Sequence, residues 1–141
     1  TVKYHTATHL IHQALYDVMT NVRQEGSNIT SERLRFDFYS EKKPEQQDIK
    51  QVEKIVNEKI KDSLPVRFEI MPKEKAEKIG ARSFFKEKYG EQVKVYFVGD
   101  YSKEFCGGPH VTNTREIGTI SIYKFEKIGS NLYRIYARKS S

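Results

Sequence analysis

His5-Thr6-Ala7-Thr8-His9 runs without a break into Leu10-Ile11-His12 at the head of the chain. Residues four apart share a helix face, so a helix here presents the His5 and His9 imidazoles to one point. From Tyr4 to about Val22, the positions Ala7, Leu10, Ile11, Ala14, Leu15, Val18 and Met19 recur at helical spacing, with His5, Thr8, His9 and His12 along a stripe beside them. The only cysteine stands far downstream, in Cys106-Gly107-Gly108-Pro109-His110. Together His5, His9, Cys106 and His110 supply four nitrogen and sulfur donors, the number that one tetrahedral zinc ion takes. A thiolate in the set argues against magnesium or calcium.

Outward from these two ends, the chain reads as a scaffold that joins them. Arg23-Gln24-Glu25-Gly26-Ser27-Asn28 reads as the polar turn that ends the first helix. Leu34, Phe36 and Phe38 alternate with Arg33, Arg35, Asp37 and Tyr39 as in a half-buried strand. Ile49, Val52, Ile55, Val56 and Ile60 predict an amphipathic helix from Glu45 to Asp62, and Val66 to Ile70 alternates again. A short helix from Pro72 to Ile79 stops at Gly80, an aromatic connector runs to Gly90, and Val93 to Val98 is a strand closed by Gly99-Asp100. The cysteine motif follows as a loop, and Ile117 to Glu126 and Leu132 to Arg138 form two last strands. About three helices and five or six strands that do not alternate strictly predict an α+β fold, not a doubly wound one. The expected architecture is a mostly antiparallel sheet packed with the long N-terminal helix and further helices. The zinc site lies between the first helix and the Cys-x3-His loop.

Bulk composition narrows the function classes. The 141 residues predict one domain over 1–141, and 37% hydrophobic content with 8 Phe and 9 Tyr is enough for a core. No run approaches the roughly 18 apolar residues of a membrane span. A lone cysteine excludes an internal disulfide and points to a reducing, cytoplasmic setting. The 25 Lys and Arg outnumber the 19 Asp and Glu, and a net charge of +6 favours an anionic partner. Thr1-Val2-Lys3-Tyr4 leads straight into the helix with no signal peptide, so the chain is expected to be a fragment of a longer protein or a minimal stand-alone one.

Several neighbours of the donors have two readings each. His12, three residues past His9, is either a ligand competitor or an outer partner or surface histidine, and the four better-placed donors favour the second. The Thr8 hydroxyl either packs the helix or touches substrate. Gly107 and Gly108 free the backbone to aim N–H groups at a carbonyl or oxyanion. Asp100 either orients a metal-bound histidine through its other ring nitrogen or caps a turn.

Taken together, His5-Thr6-Ala7-Thr8-His9-Leu10, Gly26-Ser27, Arg33-Leu34-Arg35-Phe36-Asp37-Phe38, Gly99-Asp100, Cys106-Gly107-Gly108-Pro109-His110 and Glu116-Ile117-Gly118 resemble the editing domain of alanyl-tRNA synthetase. The free-standing AlaX-type editing proteins share it. The match covers nearly the whole chain, with its blocks in the family's order. The resemblance implies hydrolysis of mischarged Ser-tRNA(Ala), with Gly-tRNA(Ala) as a further candidate. One zinc ion would be held by His5, His9, Cys106 and His110. It implies that Gln24 belongs to the editing site and that Thr8 lines the amino-acid pocket. The partner is the tRNA(Ala) acceptor end with its amino acid, not DNA and not a membrane. Arg23, Arg33, Arg35, Lys103 and Arg115 lie close in sequence to these blocks as candidates for the tRNA phosphates, or as plain solvated charges. Pro109 replaces the Thr usual in alanyl enzymes, and Gly-Pro-His-Val before Asn-Thr is similar to the threonyl-tRNA synthetase editing domain, which keeps Ser-tRNA(Thr) as an alternative. A non-catalytic, zinc-stabilised tRNA-binding module is the other alternative. A zinc peptidase is disfavoured, because His5 is followed by Thr6 and not by Glu.

Overall fold

The computed structural model describes residues 2–19, 21–81, 91–106 and 109–140. Its order is α1 (Val2–Met19), β1 (Arg23–Ile29), β2 (Leu34–Tyr39), α2 (Gln46–Lys61), β3 (Val66–Pro72), α3 (Lys73–Lys78), β4 (Gln92–Val98), β5 (Ser102–Phe105), a 3-10 turn (Thr114–Ile117), β6 (Thr119–Gly129) and β7 (Leu132–Ser140). The strands form a four-stranded sheet in the order β1-β2-β7-β6 and a three-stranded sheet in the order β3-β4-β5. Every strand pair is antiparallel. The expected α+β class is what the chain adopts. Among the described residues, no helix is long and apolar enough to cross a membrane.

Helix α1 is buried on nearly all sides. Every residue from Thr6 to Leu15 except Gln13 is buried, so His9, His12, Thr6 and Thr8 sit inside the molecule and not on a stripe beside it. Leu10, Ile11 and Leu15 meet Leu34, Phe36 and Phe38 of β2, Tyr133 and Ile135 of β7, and Val52 and Val56 of α2 in one large core. Burying each such side chain is worth about 1.5–3 kcal/mol before ordering costs. A second, smaller cluster of Met71, Ala76, Val93, Val95, Phe97 and Phe105 lies between the three-stranded sheet and α3.

The largest correction concerns residues 23–28. They form the edge strand β1, pairing with β2 from Arg23↔Tyr39 to Ile29↔Leu34, with a register shift between Gln24 and Gly26. The helix has already ended at Met19, and Asn21 takes a positive φ of 49°. An edge strand is held by its backbone ladder and needs few apolar side chains, so its polar composition reads as a turn. A further strand, β5, precedes the cysteine motif in a stretch to which the sequence assigns no element. Gly99 turns the chain at φ 53° into a hairpin with β4, and the Cys106 N–H extends that ladder to the Lys94 carbonyl at 3.0 Å. The predicted connector between 82 and 90 lies outside the described residues.

Candidate metal centre

Three segments converge on one point. The first half of α1 carries His5 and His9, Cys106 directly follows β5, and the segment after the cysteine loop carries His110. That last segment is sewn to the end of α2 and the start of β3. Val66 N–H donates to Thr112 O at 2.9 Å, and the Thr114 hydroxyl donates to Lys59 O at 2.8 Å while accepting from Leu64 N–H at 2.9 Å. The four ligand atoms of His5, His9, Cys106 and His110 lie within 4.8 Å of one another, so the group could hold a metal ion. Cys106 Sγ is 3.2 Å from His5 Nε2 and 3.3 Å from His110 Nε2. Nitrogen and sulfur ligands at tetrahedral angles around zinc stand roughly 3.3–3.6 Å apart.

Hydrogen bonds on the far side of the rings decide which nitrogens face this point. His5 Nδ1 lies 3.0 Å from the Pro109 carbonyl, which can only accept, so its proton is on Nδ1 and the lone pair on Nε2. The Thr6 hydroxyl gives its one proton to Val2 O at 3.3 Å. It therefore accepts from Val111 N–H at 3.2 Å and from His110 Nδ1 at 2.9 Å, and His110 too is left with its lone pair on Nε2. His9 is 1% exposed, and neither of its ring nitrogens has a hydrogen bond. Its Nδ1 is 3.3 Å from Glu104 Oε2. A buried imidazole without a partner is the kind of atom a bound ion satisfies.

Burial favours the neutral form of His9 and His110. Burial holds His9 below its ordinary 6.5, with the Glu104 carboxylate opposing and His5 and His12 adding to the effect. Burial, then the charges of His9, His5 and Lys94, pushes His110 down to about 2. Neutral imidazoles are the metal-binding form. A pocket of about 210 Å³ opens beside the cluster, lined by Val2, His5, Ile29 and Pro109.

Other residues singled out in the sequence fall in varied places. His12 is buried and its Nδ1 lies 2.9 Å from Glu104 Oε1, so it is paired with a carboxylate and is not among the four clustered donors. Asp100 is exposed in the β4–β5 turn, and the carboxylate beside the histidines is Glu104, whose Oε2 lies 3.3 Å from His9 Nδ1. Thr8 is buried, and its hydroxyl donates to Tyr4 O at 2.9 Å within the helix. Gln24 is 5% exposed, and its Oε1 has no hydrogen-bond partner. Gly107 and Gly108 lie outside the described residues. Arg23, Arg33 and Arg35 share the outer face of the four-stranded sheet: Arg23 lies over Tyr39, Arg33 donates to Asn28 Oδ1 at 3.0 Å, and Arg35 lies 3.5 Å from Asp37. Lys103 points away from the cluster and donates to Ile79 O at 2.6 Å, and Arg115 is exposed on the 3-10 turn. Thr6, Glu104 and the Pro109 carbonyl carried no sequence signal as partners of the histidines.

The fold and the cluster define a class: an α+β domain with a three-imidazole, one-thiolate metal-type centre between a buried helix and a cysteine loop. Residues 93–136 match the family described as the threonyl and alanyl tRNA synthetase second additional domain. The chain is 52% identical over 138 residues to the alanine–tRNA ligase of Treponema denticola, which covers 97% of this chain and 23% of that protein. It is 50% identical to the alanine–tRNA ligase of Bacillus subtilis, covering 96% of this chain and 16% of that protein. The chain thus spans a quarter or less of the length of these relatives. Over nearly its whole length it resembles the editing region of alanyl-tRNA synthetase, as its sequence blocks implied.

Proposed function

We propose that the chain hydrolyses Ser-tRNA(Ala), with Gly-tRNA(Ala) as a second substrate, beside a zinc ion held by His5, His9, Cys106 and His110. The observation that carries this reading is the convergence of two Nε2 lone pairs, the unpartnered His9 ring and the Cys106 sulfur next to an open pocket. Zinc in such a set supplies a Lewis acid and a fixed positive charge. The chain's own residues do the rest. Val2 and Ile29 wall the pocket, and His5, held by the Pro109 carbonyl, joins it to the cluster. The aminoacyl end enters there, water adds to the ester carbonyl carbon, and the bond to the ribose oxygen breaks with the proton passing to that oxygen.

Selection of serine over alanine needs a buried polar group that alanine leaves unpaired. Gln24 Oε1, buried and without a partner, suits the seryl hydroxyl. Thr8 has spent its proton on Tyr4 O and serves as an acceptor only. Arg33 and Arg35 flank the β1–β2 end where Ile29 meets the pocket, which favours them over Lys103 for the tRNA phosphates. Similarity to alanine–tRNA ligases supports tRNA(Ala) over tRNA(Thr).

One feature favours a second reading. Four protein ligands fill a tetrahedral ion, as in structural zinc sites, so the centre would also suit a tRNA-binding module without chemistry. Deacylation of Ser-, Gly- and Ala-tRNA(Ala) beside Ser-tRNA(Thr) separates the readings. We expect hydrolysis of Ser-tRNA(Ala) with Ala-tRNA(Ala) spared. Cys106→Ala should slow it by at least the roughly 10–100-fold that losing a mere partner of a ligand costs. Undiminished hydrolysis by Cys106→Ala sinks the metal-centred version, and no hydrolysis of any substrate leaves the binding module.

A further inference from the structure

The three histidines of the cluster differ in what holds their far side. His5 and His110 use neutral oxygens, the Pro109 carbonyl and the Thr6 hydroxyl. His9 faces a carboxylate. Strand β5 alternates so that Lys103 and Phe105 turn toward α3 and the small core, while Glu104 turns toward α1. Glu104 is 2% exposed, and a carboxylate is among the costliest side chains to bury without donors around it.

Each of its two oxygens faces a different ring. Oε1 accepts the His12 Nδ1 hydrogen bond at 2.9 Å, and Oε2 stands 3.3 Å from His9 Nδ1. His9 and His12 are three apart on α1, which brings both rings to one side of the helix and lets a single carboxylate span them. The 3.3 Å contact is loose, and His9 forms no hydrogen bond on either nitrogen. One small adjustment satisfies both ends of the ring. If Nε2 is drawn to an ion, the lone pair stays there, the proton sits on Nδ1, and the Glu104 contact closes into a charge-assisted hydrogen bond. A dication with one thiolate keeps one net positive charge, which a carboxylate at this range offsets.

We infer that Glu104 is a positioning residue for His9, fixing its tautomer and ring angle through Nδ1 while His12 anchors the carboxylate by its other oxygen. The inference rests on the reading of the cluster as a metal centre. It gives His12 a role as an anchor and not as a spare ligand.

The test titrates zinc(II) into the protein against a chromophoric chelator, for the unaltered chain and for Glu104→Gln. The unaltered chain should bind one zinc per chain, and Glu104→Gln should bind about 10–100-fold more weakly. Equal affinity in the two overturns the inference and leaves the metal centre standing. Absence of zinc binding by the unaltered chain overturns the metal centre itself. If Glu104→Gln does not fold, nitrogen-15 spectra of the unaltered, zinc-loaded chain decide: a protonated, hydrogen-bonded His9 Nδ1 with metal on Nε2 supports the role, and metal on Nδ1 overturns it. A carboxylate with only a packing role would leave both readouts unmoved.

Discussion

At the scale of single residues, the molecule spends its short-range polar chemistry on fixing the ends of segments that carry ligands. Thr6 shows the economy of this: one hydroxyl orients His110, satisfies Val111 N–H and returns its proton to the helix. Glu116 does similar work where the ligand-bearing segment ends. Its carboxylate accepts from the Thr112 hydroxyl at 2.7 Å, from Asn113 N–H at 2.8 Å and from Thr112 N–H at 3.0 Å, and closes a capping box with Asn113. The Thr112 hydroxyl first, then the Asn113 N–H, holds its pKa below the ordinary 4.5, with Lys3 adding a smaller share. A carboxyl depressed in the folded state stabilises fully above its unfolded pKa and loses that effect as pH falls through its folded pKa. Glu116→Gln should therefore lower the melting temperature at pH 7, and the gap to the unaltered chain should shrink once pH drops below 4.5. Thermal melts of both chains across pH 3–7 test this, and a gap that persists unchanged at the acid end contradicts it.

Elements are joined here by side chains that treat strand backbone as a partner. Asn57 of α2 donates to Ile120 O and accepts from Ile120 N–H, both at 2.9 Å, and Glu53 one turn earlier accepts from Ile122 N–H at 2.7 Å. These bonds clamp α2 along the edge of β6, beside the bulge between Ile122 and Lys124. Asn57→Leu removes both Ile120 bonds and strands a donor and an acceptor, at a cost of about 1–3 kcal/mol. Urea unfolding should show that loss, and a change within experimental error would mean water replaces the clamp. Such tertiary bonds mark the boundary of what the sequence discloses. The helices α1 and α2 and the strands β2, β3, β4 and β7 were legible because their apolar residues repeat at 3.6 or 2. The strand β1 was not, since only Gln24 turns a fully buried side chain inward and the ladder to β2 does the holding. The strand β5 is hidden for another reason: three of its four residues are buried, but so short and mostly polar a stretch shows no apolar repeat.

For the whole molecule, the cluster is where two hydrophobic bodies meet. The four donors could be found from a helical repeat and one cysteine, but their outer partners could not, because Thr6 reaches His110 across 104 residues and Glu104 reaches His12 across 92. Only the pairing of β5 with β4, and the return of the chain to Leu64 and Val66, brings them together. His5 and His9 belong to the large core through α1, whereas Cys106 directly follows the strand whose Phe105 sits in the small one. An ion ligated by both sides would tie the smaller body to the larger, and the free energy of binding it would become free energy of folding for that junction. Among the described residues the small cluster buries few side chains, so its sheet should open at lower cost once the tie is gone. Chelation of the zinc-loaded chain should speed amide hydrogen exchange in β3, β4 and β5 far more than in β2 and β7, where Phe36, Phe38 and Ile135 stay packed against α1. Exchange that rises equally in both sheets would instead mean that the centre stabilises the fold as one unit. Exchange that does not change at all would mean that the four donors close on one another without needing an ion.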